Sequence, residues 1–194
     1  MPEHTPGPRT RMVRGAADLL ARGGLGGTSF REVLQRSSAP RGSVYHHFPG
    51  GKQELVAAAV NHVGDSLIAI IDGQAGRAAD DVVAAVAAAM RHTLASSGLA
   101  AGCAVAAATV DAASEFPGLT DVASGVFRAW QAHLAAALHA GGIARPRADT
   151  LAVTVIAALE GAIILSRARH DITAYDHVTR ELLAATRTAM PDPA

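Results

Sequence analysis

The sequence predicts an all-α protein, and three observations carry that reading. Alanine supplies 44 of the 194 residues, and it is the strongest helix former. Apolar residues recur at three- and four-residue spacing through most of the chain, with no strand-like alternation and no fixed-period repeat. Aromatics make up only 4% of the residues, and glycine and proline cluster at the ends of apolar stretches, which argues against a sandwich or barrel.

About nine helices follow in order. Met12, Ala16, Leu19, Leu20 and Gly23 share a face, and Gly23-Gly24 is a C-terminal stop, so the first helix is predicted over roughly 9–22. Ser29-Phe30-Arg31-Glu32 has capping-box spacing and opens a second helix, with Phe30, Val33 and Leu34 inward and an end near Ser37. Pro40 suits the first turn of a third, because its missing N–H would be unpaired there, and Val44, Tyr45 and Phe48 are its expected inner face. Pro49-Gly50-Gly51 breaks it.

A fourth helix is read after Lys52 from Leu55, Ala59, Val63, Leu67 and Ile70. Asp80 and Asp81 sit at the positive end of a fifth that carries Val82, Val86, Met90 and Leu94. Cys103 to Ala113 forms a sixth, and Pro117 opens a seventh with Leu119, Val122, Val126, Trp130, Leu134 and Leu138. The eighth starts at Pro146 and is apolar nearly all round from Leu151 to Leu165, which demands burial on two sides, one of them a second subunit. Thr173 to Asp176 caps a ninth, whose stripe is Tyr175, Val178, Leu182 and Thr186. The expected division is residues 1–52 as one domain and 53–194 as a helical ligand-binding and dimerisation domain.

Composition narrows the function. Cys103 is the single cysteine, which excludes an internal disulfide framework and a cysteine zinc finger and fits a reducing compartment. Met1 to Pro8 has no apolar segment of the kind that directs secretion, so a cytoplasmic location is expected. The stretch from Leu151 to Leu165 is interrupted by Glu160 and too short to span a bilayer, so no membrane is expected. The net charge of zero conceals an asymmetry. Residues 1–55 hold eight basic groups (Arg9, Arg11, Arg14, Arg22, Arg31, Arg36, Arg41, Lys52) against four acidic ones (Glu3, Asp18, Glu32, Glu54). That surplus is either a solvated face or the footprint of a polyanion partner.

Three short helices within 48 residues, the last two parted by the turn at Ser37 to Ala39, have helix-turn-helix proportions, and the third would be the reader. Its N-terminal part meets base edges in this motif. Pro40 and Gly42 keep that part slim, and Arg41, Ser43, His46 and His47 are expected outside. Arg41 has the bidentate donor fork that suits guanine, each such pair discriminating by roughly 1–3 kcal/mol. Ser43, Tyr45, His47 and Lys52 are candidates for phosphates, and Thr28 or Ser29 at a helix start offers backbone N–H groups to another.

The run Ala39-Pro40-Arg41-Gly42-Ser43-Val44-Tyr45-His46-His47-Phe48-Pro49-Gly50-Gly51-Lys52 resembles the recognition helix and following turn of the TetR family of bacterial repressors. Thr28-Ser29-Phe30-Arg31-Glu32-Val33 resembles the start of that family's second helix, so the signature covers about residues 9–56. Pro40-Arg41-Gly42-Ser43, with Gly102-Cys103 and Phe116-Pro117, is most similar to the LmrA/YxaF-like subgroup. The chain departs from the pattern at Leu34 and at Ser38-Ala39, where the family often has Ala and then Gly-Val, which predicts an altered helix angle.

The resemblance implies a homodimer joined through the eighth and ninth helices, a double-stranded, roughly palindromic DNA operator, and a small-molecule effector that releases the DNA. The expected interface residues are Leu151, Val155, Leu159, Ile163, Leu182 and Thr186. Leu67, Met90, Leu94, Cys103, Val126, Phe127, Trp130 and Glu160 line either an effector pocket or plain core. Glu160, alone in an apolar helix, needs a partner if it is buried. Cys103 is either a buried inert thiol or, beside a positive charge, a redox-sensitive one. His46 and His47 are adjacent and cannot act as an i, i+4 metal pair, and neither cofactor nor metal is expected. No HExxH, GxSxG, GxGxxG or phosphate-loop motif is present. The competing readings are a helical small-molecule-binding protein, or an enzyme using Glu160 with His133 or Asp111 as an acid/base pair.

Overall fold

The computed structural model describes residues 6–40, 43–116 and 118–190. Among these residues every regular element is a helix: α1 (Pro8–Gly23), α2 (Phe30–Ser37), α3 (Ser43–His47), α4 (Gly51–Asp72), α5 (Ala79–Ser96), α6 (Ala104–Glu115), α7 (Leu119–Ala140), α8 (Arg145–Arg169) and α9 (Thr173–Ala189). The all-α expectation therefore holds.

Local chemistry explains most of the boundaries. Pro8 opens α1, and the turn after it is taken by Gly24 at φ 64°, a conformation that suits glycine. In α2 the predicted capping box is complete: Glu32 N–H donates to Ser29 Oγ at 3.2 Å, and Ser29 N–H donates to the Glu32 carboxylate at 3.1 Å. Pro146 falls in the first turn of α8, as expected. The cap of α9 is not Thr173. The N-cap is Ile172, which has no polar side chain to cap with, and the preceding Asp171 accepts from Thr173 N–H at 3.1 Å. Pro117 lies outside the described residues.

The chain divides into two compact units, one made of Met1–Val63 with Ala104–Val126, the other of Gly64–Cys103 with Phe127–Ala194. In the first, α1 packs on α2 and α6, and Met12, Val13, Ala16, Val33, Val44, Phe48, Leu55 and Ala59 form the core. In the second, α8 packs on α9, and α5 packs on both. Tyr175, Trp130, Leu134 and Leu138 are buried there, each with its polar group satisfied where it has one. Trp130 Nε1 donates to Gly64 O at 3.0 Å, and Tyr175 Oη donates to Ala87 O at 2.9 Å.

Two expectations about the apolar stretches change. Tyr45, predicted to face inward, is 72% exposed, because Val44 and Phe48 alone fill the space over α1 and α2. The apolar segment around Leu151 belongs to a 25-residue helix, so α8, like α4, has the length and composition to cross a membrane. In this fold its face of Leu151, Val155, Leu159 and Ile163 is buried within the chain.

Candidate nucleic-acid interface

The interface begins as a packing problem. Helix α3 has only five residues and cannot stand alone. Val44 at 1% exposure and Phe48 at 0% anchor it to α1 and α2. The turn before it is locked by Ser43, whose Oγ donates to Pro40 O at 2.6 Å and whose N–H donates to the same oxygen at 3.0 Å. Arg11 reaches across from α1 and donates through Nε to Ser37 O at 3.0 Å, satisfying a carbonyl at the end of α2. The Arg9 guanidinium lies 5.2 Å from the centre of the Phe48 ring. Ser38 closes α2 in the left-handed conformation, φ 50° and ψ 33°, at the position where glycine would be unstrained.

With its inner face fixed, α3 presents Tyr45 and His46 outward, with Ser43 and His47 half-exposed and Pro40 exposed at its approach. Arg41 and Gly42 lie outside the described residues. A groove of about 710 Å³ runs between α2 and α3, and the residues along it include Phe30, Arg31, Leu34, Gln35 and Tyr45. Phe30 and Tyr45 meet edge to face at 5.8 Å. Arg31 and Gln35 are exposed along it. Sequence reasoning missed these two, although the signal was available: they stand four apart on α2, hence on one face, beside the groove that Tyr45 borders.

Several residues predicted for this interface serve the fold instead. Thr28 is buried, and its hydroxyl donates to Gly24 O at 2.8 Å. At the start of α2 the Ser29 and Glu32 N–H groups are taken up in the capping box. The Glu32 carboxyl is held below its ordinary value by the hydrogen bonds from Ser29. That places a negative charge where a phosphate was expected. Lys52 donates through Nζ to Leu25 O at 2.6 Å and lies 5.7 Å from the centre of the Phe116 ring. Of the basic surplus, Arg22 and Arg36 both pair with Asp18.

The residues predicted for an effector fall mainly in the second unit, with Val126 in the first. Leu67, Leu94 and Trp130 are buried, Met90, Cys103 and Phe127 half-buried. Phe127 and Trp130 meet edge to face at 5.4 Å. Cys103 and Glu160 are brought together, the thiol donating to the carboxyl. The Glu160 carboxyl is pushed above its ordinary value by burial, which the thiol only partly offsets.

The residues predicted for a subunit interface need correction. Leu151, Val155, Leu159, Ile163, Leu182 and Thr186 are at most 5% exposed within the single chain, so they are its own core. The outward face of α8 carries Val153, Ala157, Ile164, Leu165 and Ala168 instead. Val153, Ile164 and Leu165 are 49%, 63% and 46% exposed. Among the described residues no group of three His, Cys, Asp or Glu side chains is placed to hold a metal.

A basic helix-turn-helix with its reader helix turned outward, joined to a larger helical unit, defines a DNA-binding regulator. The sequence profile described as "Bacterial regulatory proteins, tetR family" matches residues 13–59, and that described as "Transcriptional regulator LmrA/YxaF-like, C-terminal domain" matches residues 79–181. The uncharacterized HTH-type transcriptional regulator Rv0196 of Mycobacterium tuberculosis is 38% identical over 191 residues, covering 96% of this chain and 97% of that protein. The uncharacterized HTH-type transcriptional regulator YxaF of Bacillus subtilis is 30% identical, covering 85% and 87%. A TetR transcriptional regulator from Legionella pneumophila has the same fold, with a TM-score of 0.83 at 20% identity over 94% of this chain and 98% of its own. The chain belongs to the TetR family of transcriptional regulators, with the LmrA/YxaF-like C-terminal domain. Its relatives are DNA-binding regulators and not enzymes.

Proposed function

We propose that the protein is a cytoplasmic, homodimeric repressor that binds a roughly palindromic operator and is released by a small, largely apolar effector. The observation that carries this reading is the outward polar edge of α2 and α3. Tyr45 and His46 are exposed on a reader helix whose apolar side is spent on the core, and Tyr45 shares a groove with Arg31 and Gln35 of α2. In this proposal Arg41 reads a guanine, while Tyr45, His47 and Arg31 hold backbone phosphates and Ser43 acts through the turn it locks. Pro40, Gly42 and His46 border the contact, the N-terminus of α2 around Ser29 has a lesser part, and Thr28 and Lys52 act through the fold.

The outward apolar face of α8 supports the dimer, because Val153, Ile164 and Leu165 leave an exposed apolar surface that a second copy of α8 and α9 would cover. Two readers on one dimer require half-sites about one helical turn, or a multiple of it, apart. Release requires an effector that favours the non-binding state by several kcal/mol. The test is fluorescence anisotropy of the full-length protein against the DNA upstream of its own gene, with scrambled DNA beside it, over a salt series. Tight binding to the native fragment with a steep salt slope, and loss of that preference in Arg41→Ala, is the expected result. Equal losses of Arg41→Ala on native and scrambled DNA would remove Arg41 from base reading.

A further inference from the structure

Among the described residues two buried side-chain oxygens have no hydrogen-bond partner, Glu160 Oε1 and Thr179 Oγ1. The second is minor, since a helical threonine hydroxyl can turn to a carbonyl one turn back. The first is not, because an enclosed carboxylate oxygen without a donor is among the costlier arrangements in a protein. The neighbours that could relieve it are committed elsewhere. Tyr175, close enough to feel the Glu160 charge, spends its hydroxyl on Ala87 O at 2.9 Å. Arg91, whose charge also acts on Tyr175, is held by both oxygens of Asp176 at 2.7 and 3.0 Å. The Cys103 thiol is a weak donor and engages the carboxyl only in part. Ile156 and Ile163, within a turn of Glu160 on α8, are buried and apolar.

We propose that Glu160 Oε1, with the Cys103 thiol beside it, is the seat for a small apolar compound that carries one N–H donor, a protonated amine above all. An ammonium supplies both the missing hydrogen bond and the missing opposite charge, and a charge-assisted bond is roughly twice as strong as a neutral one. An alcohol supplies only the first, and a carboxylate meets like charge. This inference rests on the effector reading above and gives that effector its chemical class.

The test is isothermal titration calorimetry of the full-length protein with three probes that share one apolar body: 3-phenylpropylamine, 3-phenylpropanol and 3-phenylpropanoate. The amine is expected to bind at least about tenfold more tightly than the alcohol, and the carboxylate more weakly than either. Glu160→Gln, nearly the same shape, brings the amine to the level of the alcohol, while Cys103→Ser retains most of the preference. Carboxylate binding equal to the amine, an amine preference that survives Glu160→Gln, or no binding of any probe would overturn the seat. Anisotropy on operator DNA separates the two levels. Amine binding without DNA release leaves the seat and overturns its regulatory role, whereas release of wild type and Glu160→Gln alike by one compound, with no amine preference in the wild type, leaves the effector reading and removes the seat.

Discussion

Asp111 and Lys52 grip one residue from opposite sides. The Asp111 carboxylate on α6 accepts from Leu25 N–H at 2.9 Å, and the Lys52 ammonium on α4 donates to Leu25 O at 2.6 Å. Leu25 itself is 1% exposed, so the loop between α1 and α2 is pinned by its side chain and by both of its backbone groups. Gly24 is part of the same device: a Cβ there would clash with Asp111 Oδ2. The loop that leads into the helix-turn-helix is therefore tied to two helices that sequence places far from it.

Asp111→Ala is expected to leave Leu25 N–H partly buried and unpaired, at a loss of about 1–3 kcal/mol. Asp111→Asn keeps an acceptor and loses less. Urea denaturation read by circular dichroism checks the order, and equal stability of the alanine variant and the wild type would refute it.

Ser38→Gly should stabilise the protein. Ser38 holds φ 50° at the end of α2, a conformation that disfavours a Cβ by roughly 1–2 kcal/mol, part of which glycine's extra freedom in the unfolded chain offsets. A gain of about 0.5–1 kcal/mol is expected in the same denaturation experiment, and a loss would mean that the Ser38 side chain contributes more than its backbone strain costs.

These cases mark what the sequence made legible. Helices were readable because their signals are local: the Ser29 and Glu32 spacing, Pro146 in a first turn, the apolar periods of α1 and α5. The outward edge of α3 was half readable, since Val44 and Phe48 were correctly inward but Tyr45 belongs to the same short run and its direction depends on how α3 tilts over α2. Asp111 and Leu25 are 86 residues apart, and nothing in either neighbourhood announces their bond. The α8 interface failed for a different reason: a helix apolar on every side does not say which side meets its own chain.

The stability of the protein should depend on pH through Glu160. Its folded carboxyl is raised above the ordinary value of 4.5 by burial, which the hydrogen bond from the Cys103 thiol only partly offsets, and its charge in turn adds to the burial that raises the Tyr175 hydroxyl. A raised group contributes stability that is fully present below the ordinary value and is lost as pH rises through the folded one. Glu160→Gln removes that loss, so the variant matches the wild type near pH 4 and exceeds it by about 1–2 kcal/mol near pH 8. Thermal melts across that range provide the check, and a constant offset at all pH values would assign the difference to packing.

Two arginine substitutions on α8 separate the subunit face from the core. Leu159 is 0% exposed, so Leu159→Arg buries an unpaired charge and is expected to unfold the second unit or cost several kcal/mol. Ile164 is 63% exposed on the outward face of the same helix. Ile164→Arg leaves the chain's own core intact and places a charge where a second copy would sit, so it should yield a folded monomer with unchanged helical circular dichroism and half the mass in light scattering. Half-operator DNA would then bind as weakly to this variant as one reader allows, because the second reader contributes only when both are joined. A dimer of unchanged mass in Ile164→Arg would move the interface away from this face of α8.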